Sequence, residues 1–427
     1  MTYPAHVMPL YSEVFMGKMV GFIKLYFPVF LLGALFGKII ELSGFSKSII
    51  QAVIRLVGAR HAMLTIVLVC ALLTYGGVSL FVVAFAVYPF AAEMFKQLDI
   101  PKRLIPGTIA LGAFTFTMDA LPGSPQIQNL IPTTFFNTTS WAAPRMGLLG
   151  ALFVLLCGLT YLEWRRRQAQ RAGEGYGENH INEPEAAETV SLPHPALAVL
   201  PLLLVAVLNK GLTDAMPRLF PASIDLSGLG VDGASIELSK VSALWAVEIA
   251  LVAAIALVLA LSFRRMKAKL SIGINAAVAG AMLAALNTAS EYGFGAIIAA
   301  LPGFKTLSAA LGSTFSHPLV NEAVTTTTLA GVTGSASGGM SIALAAMGQT
   351  YLQQATAMGI PPEVLHRVAS MASGGMDTLP HNGAVITLLA VTGLTHRQAY
   401  GDIFAMTLIK TAAVFVAIAA YVVFGLY

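Results

Sequence analysis

Two copies of one short motif hold the residues best placed to do chemistry. Met118-Asp119-Ala120-Leu121-Pro122 is followed by Gly123-Ser124-Pro125, and Met376-Asp377-Thr378-Leu379-Pro380 by His381-Asn382-Gly383, 258 positions further on. Each copy is a polar, helix-breaking stretch inside strongly apolar sequence. A break in a membrane helix strands N–H groups at one new end and carbonyls at the other. Lipid satisfies neither, so such breaks persist only where they are buried or line a wet cavity. The new N-terminal ends carry partial positive charge and attract anions. Four breaks are legible, as two related pairs: Ser79 follows Gly76-Gly77 and Ser341 follows Gly338-Gly339, while Ser124-Pro125-Gln126 and Asn382-Gly383 come after Leu-Pro. Converging halfway through a bilayer, these helix starts would offer several N–H groups to a carboxylate. Thr74, Gln126, Asn129, Ser337 or Thr378 would remain for a substrate's hydroxyls. The substrate-binding set on this reading is Thr74, Gly76, Gly77, Ser79, Ser124, Gln126, Ser337, Gly339, Ser341, Thr378, His381, Asn382 and Gly383. The competing reading is that Gly-Gly and Pro only kink packed helices.

Ionisable groups within apolar sequence form a second set. An intramembrane carboxylate is costly and points to function; Asp119 and Asp377 could bind sodium, carry a coupling proton, or cap the broken helix. His381 stands where the first copy has Gly123; it suits proton coupling beside an anion site, and a structural, hydrogen-bonded histidine suits the sequence equally. His317, Asn321 and Glu322 precede the Thr325–Thr328 run and could line a cavity or relay, or mark a helix end at the outer face. The ion-coupling candidates are therefore Asp119, Asp377, His381, His317 and Glu322. Glu41 and Glu291 read as helix ends, and Lys24 and Lys38 as side chains snorkelling to the interface. Enzyme signatures of the His-Glu-x-x-His, Gly-x-Ser-x-Gly and P-loop kinds do not occur. Gly334–Gly339 lacks the preceding strand and following acidic residue of a nucleotide site. Cys70 and Cys157 lie in apolar runs and suggest neither a disulfide nor a metal site. No cofactor is implied.

The elements that must position these residues are membrane helices. Hydrophobic residues make up 56% of the 427 and charged ones 11%, with mean hydropathy +0.76, too little polar surface for a soluble chain of this size. The runs at 22–40, 146–161, 243–263 and 403–425 are long enough to span a bilayer core and do not alternate, which favours helices over a barrel. The expected fold is an all-α polytopic membrane protein with two inverted repeats, re-entrant hairpins and discontinuous transmembrane helices. The net charge of +4 comes from loop cations, and nothing points to nucleic acid. Residues 1–21 read as a surface lead-in, with no apolar core and small-residue cleavage site of a signal peptide.

Internal matches fix the organisation. Glu41–Phe45 resembles Glu291–Phe294, Gly76–Leu80 matches Gly338–Ile342, Ile100-Pro101 matches Ile360-Pro361, and the Met-Asp motifs follow, with offsets of 250, 262, 260 and 258. The N-terminal repeat covers 1–163 and the C-terminal repeat 272–427. Between them lie a flexible linker at 164–195, beginning Arg165-Arg166-Arg167, and connecting helices at 196–271 with an outer loop at 209–241. The triple arginine and Arg264–Lys269 place both their ends in the cytoplasm. Lys47, Arg55 and Arg60 follow Glu41 closely, whereas only Lys305 follows Glu291 before His317, so the halves are inverted. Crossing parity then requires that one of the stretches 62–93 and 104–136 be a re-entrant hairpin and the other a broken spanning helix; which is which stays open.

Gly334–Ile342, Arg367–Thr387 and Phe114–Pro125 together resemble the gluconate:proton symporter family, and its D-β-hydroxybutyrate permease-like branch more than the gluconate permeases. The likeness extends over essentially the whole chain; Asp377–Ala384 is its most specific part. It implies an ion-transporter superfamily fold, a homodimer with elevator-like motion, and proton-coupled uptake of small hydroxy-carboxylates across a bacterial inner membrane. Members of that family carry a further helix ahead of Phe22–Glu41, for which residues 1–21 leave no room, so the first scaffold helix is expected to be missing. The expected activity is secondary transport of a small carboxylate such as 3-hydroxybutyrate or gluconate, coupled to protons. A sodium-coupled carrier or ion antiporter is the nearest rival, and a membrane-embedded enzyme or passive channel the rival of another class.

Overall fold

A computed structural model describes residues 6–58, 61–178, 180–184, 192–227, 235–303, 306, 315 and 317–427. Fifteen helices carry the described architecture. In the first half these are α1 (Val7–Leu42), α2 (Phe45–Val57), α3 (Ala62–Tyr75), α4 (Leu80–Gln97), α5 (Ile105–Ala113), α6 (Phe116–Asp119), α7 (Ile131–Phe136) and α8 (Pro144–Arg171). Then come α9 (Pro195–Leu219), a two-stranded antiparallel pair β1 (Ser223–Asp225) and β2 (Ser235–Glu237), and α10 (Leu238–Ala300). The second half adds α11 (Pro318–Thr333), α12 (Ala336–Ala357), α13 (Pro362–Ser373), α14 (Gly383–Thr392) and α15 (His396–Phe424). Among the described residues, α1, α8, α9, α10 and α15 are long and apolar enough to cross a membrane.

The chain after α8 marks one face of the molecule. Tyr88 of α4 donates to Asn182 O, Lys102 to Ile181 O, and Arg103 pairs with Glu174, while Asn182 Nδ2 donates to Ala390 O at the end of α14. Just past the end of α4, Asp99 Oδ1 accepts from Tyr176 N, so the end of α4, the start of α5 and the end of α14 share this linker face. Helix α3 runs beside α5, with Gly112 packed directly on Cys70 and the Val67 backbone. Ser48 of α2, the helix just ahead of α3, donates to Pro193 O at the linker's other end, so α3 and α4 enter and leave on the linker face as a re-entrant hairpin, and α5, α6 and α7 form the broken span. The parity question left by the sequence is answered in that order.

The second half is the mirror of this arrangement. Helices α11 and α12 are joined by Gly334 and Ser335 alone and pack so closely that a methyl group on Gly339 would overlap the backbone of Ala330. Their open end meets the far end of α15: His317, Ile360, Tyr421 and Tyr427 line one cavity of about 410 Å³. This hairpin thus opens away from the linker face, and α13 and α14 form a broken span that returns to it. The two halves are inverted repeats.

Several expectations need correction. The described residues ahead of Phe22 continue helix α1 rather than forming a lead-in. The basic loop after Glu41 is an amphipathic helix, α2, burying Phe45, Ile49 and Ile50 while Lys47 and Arg55 face out; Arg60 and Lys305 lie outside the described residues. Helix α8 continues past Glu163 to Arg171, because Arg, Gln and Ala extend helices readily. The part of the linker that follows is tied down by the contacts above. Asn209 to Leu219, placed in the outer loop by composition, belong to α9. Arg264–Lys269 interrupts nothing: α10 is one helix of 63 residues, about 95 Å at ~1.5 Å per residue, far more than one bilayer crossing needs. Met, Lys, Ala and Leu between its two apolar parts are all helix formers. Along its second part α1 lies antiparallel, with Gly273 against Leu42 and Gly293 against Phe15.

Candidate functional site

The first break is held from three sides. Tyr75 donates to Pro122 O at 2.9 Å, Gln126 Nε2 donates to Thr74 O at 2.8 Å and more weakly to Val78 O, and Pro125 packs on Gly77. Gly77 has φ +98°, a left-handed conformation that only glycine adopts freely. So the tip of the α3–α4 hairpin and the gap between α6 and α7 are one structure. Ser124 Oγ donates to Thr117 O, and Asn129 Nδ2 to Ser124 O and Ser140 O, which closes the loop internally. Asn209 of α9 reaches in to Gly123 O at 3.1 Å.

The second break follows α15 along its length. Thr411 donates to Gly375 O, the Thr378 and Thr407 hydroxyls pair at 2.6 Å, Tyr400 donates to Thr378 O, and His396 Nε2 lies 2.9 Å from Pro380 O. Asn382 Oδ1 caps α14 by accepting from Val385 N, and its Nδ2 donates to Gly334 O at the tip of the α11–α12 hairpin. Each half thus repeats one arrangement, a hairpin tip docked on a broken span.

Between the two docked tips lie four buried charges. Asp119, Arg367, Asp377 and Lys410 expose 3%, 0%, 5% and 3% of their surface, so the charge interactions among them are little screened by water. Lys410 Nζ pairs with Asp377 Oδ1 and also donates to Phe114 O at 3.1 Å, where α5 ends. Arg367 crosses the other way, from α13 to the first half, donating to Asp119 O, Ala142 O and Asn129 Oδ1. Ser370 also donates to Asp119 O, at 2.7 Å. Beside Arg367, His366 bridges Thr138 Oγ1 and Asn129 Oδ1. Asp119 Oδ2 has no hydrogen-bond partner and is packed so tightly on Gly374 that a methyl group there would collide with it. Lys410, Asp377 and Arg367 all act on the Asp119 carboxylate through their charge.

The sequence candidates divide accordingly. Thr74, Gly76, Gly77, Ser79, Ser124 and Gln126 gather at the first tip; Thr378, His381, Asn382 and Gly383 belong to the second break. Gln126 and Ser124 spend their donors on the fold, whereas the Thr74 hydroxyl is buried without a partner. Gln126 opens only a single turn at Ile127–Asn129 and then the six-residue α7, not a full helix. Ser79 does stand at the start of α4, but Ser341 starts nothing: α12 begins at Ala336, capped by Ser335. Gly338 and Gly339 are continuous helix, small because the Glu291 carboxylate and the α11 backbone press on them. By place in the fold the counterpart of Gly76 is Gly334, since each closes the first helix of its hairpin. Ser337 pairs with Thr288 of α10 at 3.3 Å. His381 is exposed and packs on Gly334. His317 lies at the far face, and Glu322 is fully buried in α11 with both oxygens unpartnered; among the described residues no hydrogen bond or ion pair joins either to the four central charges. Sequence reasoning assigned no role to Arg367, His366, Asn209 or Lys410. The available signal was a cation inside an apolar span.

No protein-family model matches the chain. An uncharacterized transporter of Bacillus subtilis (strain 168), YxjC, is 60% identical over 435 residues, covering 100% of this chain and 92% of its own. The crystal structure of the Alcanivorax borkumensis YdaH transporter, which has an unusual topology, matches with a TM-score of 0.51 over 99% of this chain and 90% of its own. At 16% identity that is a likeness of fold. The chain belongs to the transporter family of Bacillus subtilis YxjC.

Proposed function

We propose that this transporter takes up a small hydroxy-monocarboxylate, of the 3-hydroxybutyrate or gluconate kind, together with protons. The resemblance of the Asp377–Ala384 segment to hydroxybutyrate permeases supports the substrate class. The observation that carries the mechanism is the unpartnered Asp119 oxygen, buried where the two broken spans touch and within reach of two fixed cations. Two carboxylates and two cations sum to zero. A substrate carboxylate arriving at the hairpin tips would add a negative charge at low dielectric, and an uncompensated buried charge costs several kcal/mol. A proton on Asp119 restores neutrality; Asp377, tied to Lys410, is less free to take one. Substrate and proton then cross together as the two tips and broken spans move against α1, α9 and α10 in alternating access, in a homodimer of the bacterial inner membrane.

The test is uptake of labelled 3-hydroxybutyrate and gluconate into proteoliposomes. An inward proton gradient should drive accumulation, and replacing sodium with choline should leave it unchanged. Accumulation that follows the sodium gradient instead would contradict the proposal.

A further inference from the structure

Lys410 has no counterpart in the first half: α8, the helix equivalent to α15, carries no Lys or Arg from Met146 to Trp164. Its ammonium nonetheless occupies a position built in part by that half. One ligand is Phe114 O, a main-chain carbonyl released where α5 breaks off after Ala113. Another is the Asp377 carboxylate, in the break of the second half. The paired hydroxyls of Thr378 and Thr407 lie one residue along from Asp377 and one helical turn before Lys410. A carboxylate and a broken-helix carbonyl, with hydroxyls close by, are hard oxygen ligands, the kind that coordinate sodium where transporter helices unwind. The site is buried, with Lys410 and Asp377 only 3% and 5% exposed, so an arriving ion would have to displace the ammonium rather than share the space.

We propose that Lys410 is the resident cation of this transporter, its ammonium filling the position between the two broken spans that a coupling sodium ion would otherwise take. A covalently held charge cannot be exchanged across the membrane. This position therefore contributes electrostatics to both broken spans without carrying an ion, and the carrier does not couple to sodium. The inference rests on the transport reading above, but its test contains no substrate and so can fail independently of the choice of carboxylate.

The experiment is equilibrium binding of radiosodium to the purified full-length protein in detergent. Wild type should show no saturable binding. Lys410→Ala, which leaves the carbonyl and carboxylate facing an emptied pocket, should gain saturable binding that excess unlabelled sodium displaces and that Lys410→Ala/Asp377→Asn loses. Saturable sodium binding by wild type, or a folded Lys410→Ala protein that binds none, overturns the proposal. Lys410→Ser, with a hydroxyl to cover part of Asp377, replaces the alanine variant if that one does not fold, and the same two outcomes decide. Failure of 3-hydroxybutyrate or gluconate uptake alongside the expected sodium result would count against the substrate reading only.

Discussion

Asp377 and Lys410 gave up their hydration together, and neither can be removed alone without leaving the other charged and dry. Breaking a buried pair from one side costs about 3–5 kcal/mol, more than the pair itself contributes. Lys410→Met should accordingly lower the melting temperature in detergent sharply, and Lys410→Met/Asp377→Asn should recover most of the loss, a non-additivity expected of touching groups. Melting losses that simply add would show that the two side chains do not depend on each other. Asp119 calls for a different readout. Its side chain has an oxygen without a partner, so Asp119→Asn should fold, retain exchange of labelled for unlabelled substrate, and lose accumulation driven by a proton gradient. The two aspartates were legible in the sequence because they recur in a motif at a fixed spacing. Lys410 was not, because a single lysine in the apolar run 403–425 barely changes its average hydropathy. What identifies it is the cost of such a charge in lipid.

At the scale of the element, the hairpins depend on close backbone approach. Gly339 meets the backbone of Ala330 across the α11–α12 turn, and backbone cannot swing aside as a side chain can. Gly339→Ala should therefore destabilise by about 1–3 kcal/mol, as overpacking does, visible as a lower melting temperature than that of Gly383→Ala, where nothing lies nearby. The same glycine pair misled the sequence reading. Gly-Gly reads locally as a break, yet here it is a packing face, and what distinguishes Gly334 as the real turn is its place at the end of α11 with φ +65°. Composition likewise called the linker flexible, since it cannot see Arg103 and Lys102 waiting on another element. Glu174 is held below the usual carboxylate range by its hydrogen bonds with Arg103. Partial burial works the other way at Glu183, but bonds from Lys102 and Tyr176 keep it low as well. A depressed carboxylate stabilises the folded form above its unfolded pKa and ceases to do so as pH falls through the lowered value. The melting-temperature gap between wild type and Glu174→Gln/Glu183→Gln should hold steady above about pH 5 and shrink below about pH 4. A gap that is unchanged in acid would contradict this role for the linker.

For the whole molecule, inversion places one docked hairpin on each side of a common centre, and departures from symmetry mark where that centre is specialised. Arg367 and Lys410 occur in the second half only: neither α5 nor residues 146–164 of α8 hold a Lys or Arg. One half thus supplies both fixed cations and the other the carboxylate that has a free oxygen. Inversion itself was readable from the uneven basic loops. The pairing of hairpin and broken span was not, because it depends on which face α3 and α5 share, a fact of packing rather than of hydropathy. The most direct test of this account is counterflow of 3-hydroxybutyrate in proteoliposomes, comparing wild type with Asp119→Asn. The account predicts a transient overshoot of label in both when the lumen is preloaded, and proton-driven accumulation in wild type alone. Accumulation by Asp119→Asn equal to wild type, or label that equilibrates without overshoot in either protein, would contradict it.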